Sequence, residues 1–135
     1  HDTVRRQRQM CIRDSHWTVS RNTPDIASPL LNDGKIWFYK GKTGLLTCLN
    51  IHDGTPVYEQ KRIEGVSYTY ASPVAANSCI FMTDRGGTIT VIRDGDEPTV
   101  IAVNEMEEGV DATPALIDNE LFIRGETTLF CITKN

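Results

Sequence analysis

The sequence predicts an all-β chain, a partial β-propeller made of four-stranded antiparallel blades. Three observations predict it. The tripeptide Ala-Ser/Thr-Pro recurs as Ala27-Ser28-Pro29, Ala71-Ser72-Pro73 and Ala112-Thr113-Pro114. Its prolines stand 44 and then 41 residues apart, which is the period of a propeller blade. The apolar runs after each tripeptide are short, rich in Ile, Val, Thr, Phe and Tyr, and bounded by Gly, Asn or Asp. That is the punctuation of strands, not of helices.

Each copy follows the same order. The Ser/Thr-Pro starts an innermost strand, because proline is tolerated at a first strand residue, where its missing N–H is not yet needed. An apolar pair comes next: Leu30-Leu31, Val74-Ala75 and Ala115-Leu116. A polar turn follows, at Asn32-Asp33-Gly34, Ala76-Asn77-Ser78 and Asp118-Asn119-Glu120. A second strand covers Lys35–Phe38, Cys79–Met82 or Leu121–Ile123. A turn rich in Gly or charge leads to a third strand, at Leu45–Leu49, Thr88–Ile92 or Thr128–Ile132. Two copies pass through Asp53-Gly54 or Asp94-Gly95 into a fourth segment. No segment offers ten residues of clean helical period; Glu105-Met106-Glu107-Glu108 comes nearest, and Gly109 ends it, so it reads as an acidic loop.

His16-Trp17-Thr18-Val19 reads as the outer strand of a preceding blade, since Trp17 stands before Pro29 much as Tyr58 stands before Pro73. The chain is then about two complete blades plus parts of two more, over residues 16–135, with repeats starting near 27, 71 and 112. A propeller closes with about four to eight blades. The expectation is therefore the C-terminal piece of a larger ring, with the remaining blades of the full-length protein as its first partners. Residues 1–15 carry four Arg and no periodicity, and resemble translated sequencing-adapter DNA. They are read as a non-native or disordered head.

Composition supports this frame. The chain has 135 residues, one domain's worth, with 39% apolar and 24% charged residues. Its net charge of -4 argues against nucleic-acid binding, for which a basic face is the usual footprint. No apolar run reaches the roughly 18 residues of a membrane span, and none has the order of a signal peptide. The four cysteines, Cys11, Cys48, Cys79 and Cys131, form no CxxC pair. Cys48 and Cys131 lie in apolar runs and read as small buried hydrophobes.

The order Ala-Ser-Pro, apolar hairpin, then Gly-x-Leu-x-Cys-Leu-x-x-x-Asp-Gly resembles the quinoprotein-type propeller repeat, termed PQQ-like after pyrroloquinoline quinone. Blades of that family end in a pattern like Ala-x-Asp-x-x-Thr-Gly-x-x-x-Trp. Asn50-Ile51-His52-Asp53-Gly54-Thr55-Pro56-Val57 matches it in degenerate form, and Trp17 would be a surviving terminal Trp. The resemblance covers residues 16–135. It implies a periplasmic or secreted location and one of two functions. One is a non-catalytic module for structure or protein interaction, as in the propeller lipoprotein of the outer-membrane barrel-assembly machinery. The other is the C-terminal part of a PQQ-dependent alcohol or sugar dehydrogenase, whose PQQ and calcium would be held by residues upstream. The catalytic Asp, calcium carboxylates and stacking Trp of the enzymes map onto no position of this chain, so the non-catalytic reading is preferred, with no cofactor and no metal in this segment.

Other motifs lead nowhere. Gly41-Lys42-Thr43 lacks the earlier glycine of a P-loop and lies between strands. Asp94-Gly95-Asp96-Glu97 lacks the spacing of a calcium loop. Glu105, Glu107, Glu108 and Asp111 form a solvated acidic loop or a negative channel rim. Tyr68 and Tyr70 occupy the equivalent loop one repeat earlier. Tyr68, Tyr70 and Asp111 are the candidate channel-rim binding surface; the alternative for the tyrosines is packing on the neighbouring loop.

Overall fold

The computed structural model describes residues 16–133 and contains strands only. The head at residues 1–15, with Cys11, lies outside the described residues. The first sheet holds β1 (Leu30–Asn32), β2 (Lys35–Lys40), β3 (Leu45–Asn50) and β4 (Pro56–Lys61), in that order. The second holds β5 (Val74–Ala76), β6 (Cys79–Thr83), β7 (Thr88–Arg93) and β8 (Thr99–Glu105). The third holds β9 (Ala115–Ile117), β10 (Glu120–Arg124) and β11 (Leu129–Thr133). All pairs are antiparallel, so two blades are complete and a third has three described strands.

Local chemistry explains the hairpins. The β1–β2 loop is Asp33-Gly34 with φ of 49° and 73°, and the β5–β6 loop is Asn77-Ser78 with 51° and 62°. Two positive φ values in a two-residue loop match the twist of the flanking strands. The β1, β5 and β9 strands touch across the blades, which marks them as the inner strands. A belt joins their starts. The Ser28 N–H donates to Ser72 Oγ at 2.8 Å, and the Ser72 N–H to Thr113 Oγ1 at 2.9 Å. This gives the hydroxyls of Ser72 and Thr113, each just before a proline, a role: each accepts an N–H from the previous blade.

Two apolar clusters lie between the sheets. The first packs Trp37, Tyr39, Leu46, Cys48 and Tyr58 of blade one against Ile80, Met82 and Ile92 of blade two. The second packs Ile89 of blade two, with Met106 and Val110, against Leu121 and Ile123 of blade three. Within the first, the Trp37 indole N–H donates to the Tyr58 hydroxyl at 2.8 Å. At the far edge, Lys35 Nζ lies 2.9 Å from Asp94 Oδ1, and the Asn32 amide donates to Asp94 Oδ2, tying blade one to blade two.

Two expectations are corrected. Residues 16–29 form no strand; no described strand lies beside them to supply a ladder. Trp17 nonetheless docks on blade one: its Nε1 donates to the Ile51 carbonyl at 2.6 Å, and its ring covers Gly54. A Cβ at Gly54 would come within 2.6 Å of that ring, and φ there is +73°, so glycine is required. The second correction concerns Cys131. It pairs with Phe122 as Cys48 pairs with Trp37, yet it is exposed while Cys48 is fully buried. No further sheet covers that face among the described residues, and the Cys131 thiol instead contacts the Glu120 carboxylate.

Candidate functional site

Because the strands are antiparallel, the starts of β1, β5 and β9 share one end of the sheets with the β2–β3 and β6–β7 turns. The long loops 62–73 and 106–114 gather there and bond to these turns. The Thr69 N–H donates to the Gly41 carbonyl, the Arg85 N–H to the Tyr68 carbonyl, and the Val110 N–H to the Arg85 carbonyl. Tyr70 and Asp111 each directly precede the Ala of a repeat, so they hold equivalent places on adjacent blades, close to the inner strands.

The three residues singled out from the sequence come together here, around a fourth. Arg85 Nε lies 2.8 Å from Asp111 Oδ1. Its guanidinium carbon sits 4.1 Å from the Tyr70 ring centroid and 5.1 Å from that of Tyr68. The two rings meet edge to face at 5.5 Å, with their hydroxyls 3.3 Å apart. The hydrogen bond with Tyr68 is the main cause raising the Tyr70 phenol above its ordinary range, against the pull of Arg85. Both tyrosines are half-buried, while Arg85 and Asp111 are exposed. At such exposure each cation–π contact and the ion pair are individually weak, and the cluster holds together by making several of them around one guanidinium.

Sequence reading missed Arg85, which stood inside a Gly-rich turn. Its signal was a lone cationic side chain in the β6–β7 turn, where blade one has Lys40-Gly41-Lys42. The turn itself is braced by Asp84. Burial works against the charge of its carboxylate, but the N–H groups of Tyr68, Ser67 and Gly86 outweigh it and hold the carboxyl below its usual value.

Three of the four carboxylates of the acidic loop are engaged, while Glu107 stays exposed. Glu105 accepts from the Thr88 hydroxyl, and Asp111 pairs with Arg85. Glu108 accepts from the N–H and hydroxyl groups of Thr127 and Thr128, which lower its carboxyl. Asp94 of the rejected calcium motif serves the Lys35 clamp. Among the described residues no three His, Cys, Asp or Glu side chains stand close enough to hold a metal ion. Among the described residues the one orphaned buried polar side-chain atom is Thr83 Oγ1, a single hydroxyl. None of the described elements is a helix long and apolar enough to cross a membrane.

No family model matches the chain, and no curated protein does. Among solved structures the chain is similar to BamB from Moraxella catarrhalis, at 18% identity and a TM-score of 0.68, over 87% of this chain and 36% of that one. It is similar to the computationally designed Ika8 protein at 16% identity and 0.62, over 78% and 32% of the two chains. For the computationally designed Ika4 protein the values are 8%, 0.59, 92% and 100%. The chain spans about a third of the length of the first two. At these identities the likeness is one of fold. The chain is a partial β-propeller.

Proposed function

We propose that this chain is a segment of a PQQ-like β-propeller that serves as a non-catalytic structural or protein-interaction module outside the cytoplasm. The observation that carries this reading is the rim cluster of Tyr68, Tyr70, Arg85 and Asp111. Tyr and Arg are the residues most enriched where protein interfaces concentrate binding energy. Here they are held in place before any partner arrives, which lowers the ordering cost of binding. The similarity of fold to BamB supports the scaffold side of the resemblance. The remaining blades and other proteins are the partners on this reading, without nucleic acid, a membrane span or a cofactor in this segment.

The test uses the full-length protein that carries this segment. A photocrosslinking residue at Tyr68 should give discrete protein adducts in a periplasmic extract, and Arg85→Ala should remove them. Alcohol or sugar oxidation by the full-length protein on addition of quinone and calcium, with no discrete adducts, would replace this reading with the dehydrogenase.

A further inference from the structure

Equivalent places on the rim carry opposite charge on different blades. The strand registers align the β2–β3 turn with the β6–β7 and β10–β11 turns, so Lys40-Gly41, Asp84-Arg85 and Gly125-Glu126 are counterparts. The loop after β4 starts as β4 ends, at Lys61-Arg62, whereas β8 ends in Glu105 and leads into Met106-Glu107-Glu108.

Lys40, Lys42, Lys61 and Arg62 are exposed at blade one. Arg62 braces its loop through the carbonyls of Thr43 and Val66, bonds that leave its charge in place. Lys42 and Lys61 pair with no carboxylate among the described residues. At the other end of the arc Glu105, Glu107 and Glu126 are exposed and Glu108 is half-buried. The bonds that Glu105 and Glu108 accept come from neutral hydroxyl and N–H groups and cancel none of their charge. Asp25 and Glu64 on the basic side are outnumbered, as is Arg124 on the acidic side. Between the two ends lie Tyr68 and Tyr70, with the neutral pair of Arg85 and Asp111.

We propose that this rim binds a second copy of the chain, rim to rim, about a two-fold axis through the tyrosines. The inference rests on the reading of the rim as an interaction surface and gives that surface its partner. In an isologous contact residue i meets j and j meets i. A two-fold axis running radially through the middle blade lays blade one of one copy over blade three of the other. Each cationic end then meets an acidic end, twice, with the tyrosines near the axis. A partner of a single sign would meet its own charge at one end of the arc. A second copy carries the matching pattern at both ends. Aromatic residues at the centre with charges around them also follow the anatomy of protein interfaces.

The test is sedimentation of the 135-residue chain at about 0.1 M and about 1 M salt, where the screening length falls from about 10 to about 3 Å. A dimer is expected at the lower salt and a monomer at the higher. Lys42→Glu with Lys61→Glu makes both ends of the rim acidic, and Glu107→Lys with Glu126→Lys makes both ends basic. All four side chains are exposed, so each double variant should keep the circular dichroism of the parent. Each should be monomeric at the lower salt, and an equimolar mixture of the two should recover the dimer. A parent that is monomeric at the lower salt, or a mixture that stays monomeric, would overturn the proposal. So would a dimer that persists in either variant or at the higher salt, because the contact would then lie elsewhere, such as the open edge of β11. A photocrosslinker at Tyr68 separates this inference from the reading beneath it. Adducts with other proteins and none with the chain itself would remove the second copy and keep the rim as an interaction surface. No adducts of either kind would remove both.

Discussion

Replacing Tyr58 with phenylalanine isolates one buried hydrogen bond. Trp37 is 0% exposed and Tyr58 6%. The indole N–H has the phenol oxygen as its partner at 2.8 Å, and phenylalanine keeps the ring while deleting that oxygen. An indole N–H left unpaired in a dry cluster costs about 1–3 kcal/mol. For a chain of this size each kcal/mol moves the melting point by about 4 °C, so a fall of about 4–12 °C is expected. Tyr58→Ala adds the loss of the ring, for a total of about 3–5 kcal/mol. The assay is urea denaturation followed by tryptophan fluorescence, because Trp37 reports on the cluster itself. Equal slopes for the variants are needed to read the midpoint as stability. A Tyr58→Phe chain within about 0.5 kcal/mol of the parent, with Tyr58→Ala still strongly destabilised, would refute the reasoning. The ring would then matter and the hydrogen bond would not.

Three further outcomes are expected. Burial is the main cause that pushes the Tyr39 phenol from 10.0 up to about 12, the Cys48 thiol from 9.0 up to about 12, and the Tyr58 phenol upward as well. Each group is neutral when protonated and holds its proton more tightly in the folded state. The stability they confer is therefore complete below their ordinary values and is lost as pH climbs from about 9 to about 12, which denaturation midpoints at a series of alkaline pH values will register. Ser72→Ala removes the acceptor of the Ser28 N–H in the inner belt and should cost about 1 kcal/mol; a variant as stable as the parent would mean that the belt is ornamental. Under native conditions a thiol reagent should modify Cys131, which is exposed, and leave Cys48 untouched until the chain unfolds; mass mapping of early adducts on Cys48 would contradict the packing described.

Most of the fold was legible from local chemistry. Strand rows and turns follow from short-range patterns: a two-residue loop needs positive φ, and Asp33-Gly34 and Asn77-Ser78 supply it. The repeat then tells which patterns are equivalent, and so predicts four strands per blade. That Tyr68, Tyr70 and Asp111 lie on equivalent loops was legible as well, because Tyr70 and Asp111 share one place in the repeat. Arg85 was not, since nothing in a turn sequence says which loop of the next blade its guanidinium will meet.

What the sequence by itself determined is the strand order, the blade period and the place of the inner strands, all properties of one blade read along the chain. The tertiary structure decided what happens between blades. It made Cys48 a buried residue and Cys131 an exposed one, though both lie in the same row of apolar strands. It turned Ser72 and Thr113 into the acceptors of a hydrogen-bond belt, and set three carboxylates of the acidic loop on threonines and an arginine. The physical reason is range. Turn conformation and strand alternation are set by neighbours along the chain, whereas burial and side-chain partnership depend on which face meets which sheet, over contacts such as the 26 residues between Arg85 and Asp111 and the 44 between Ser28 and Ser72.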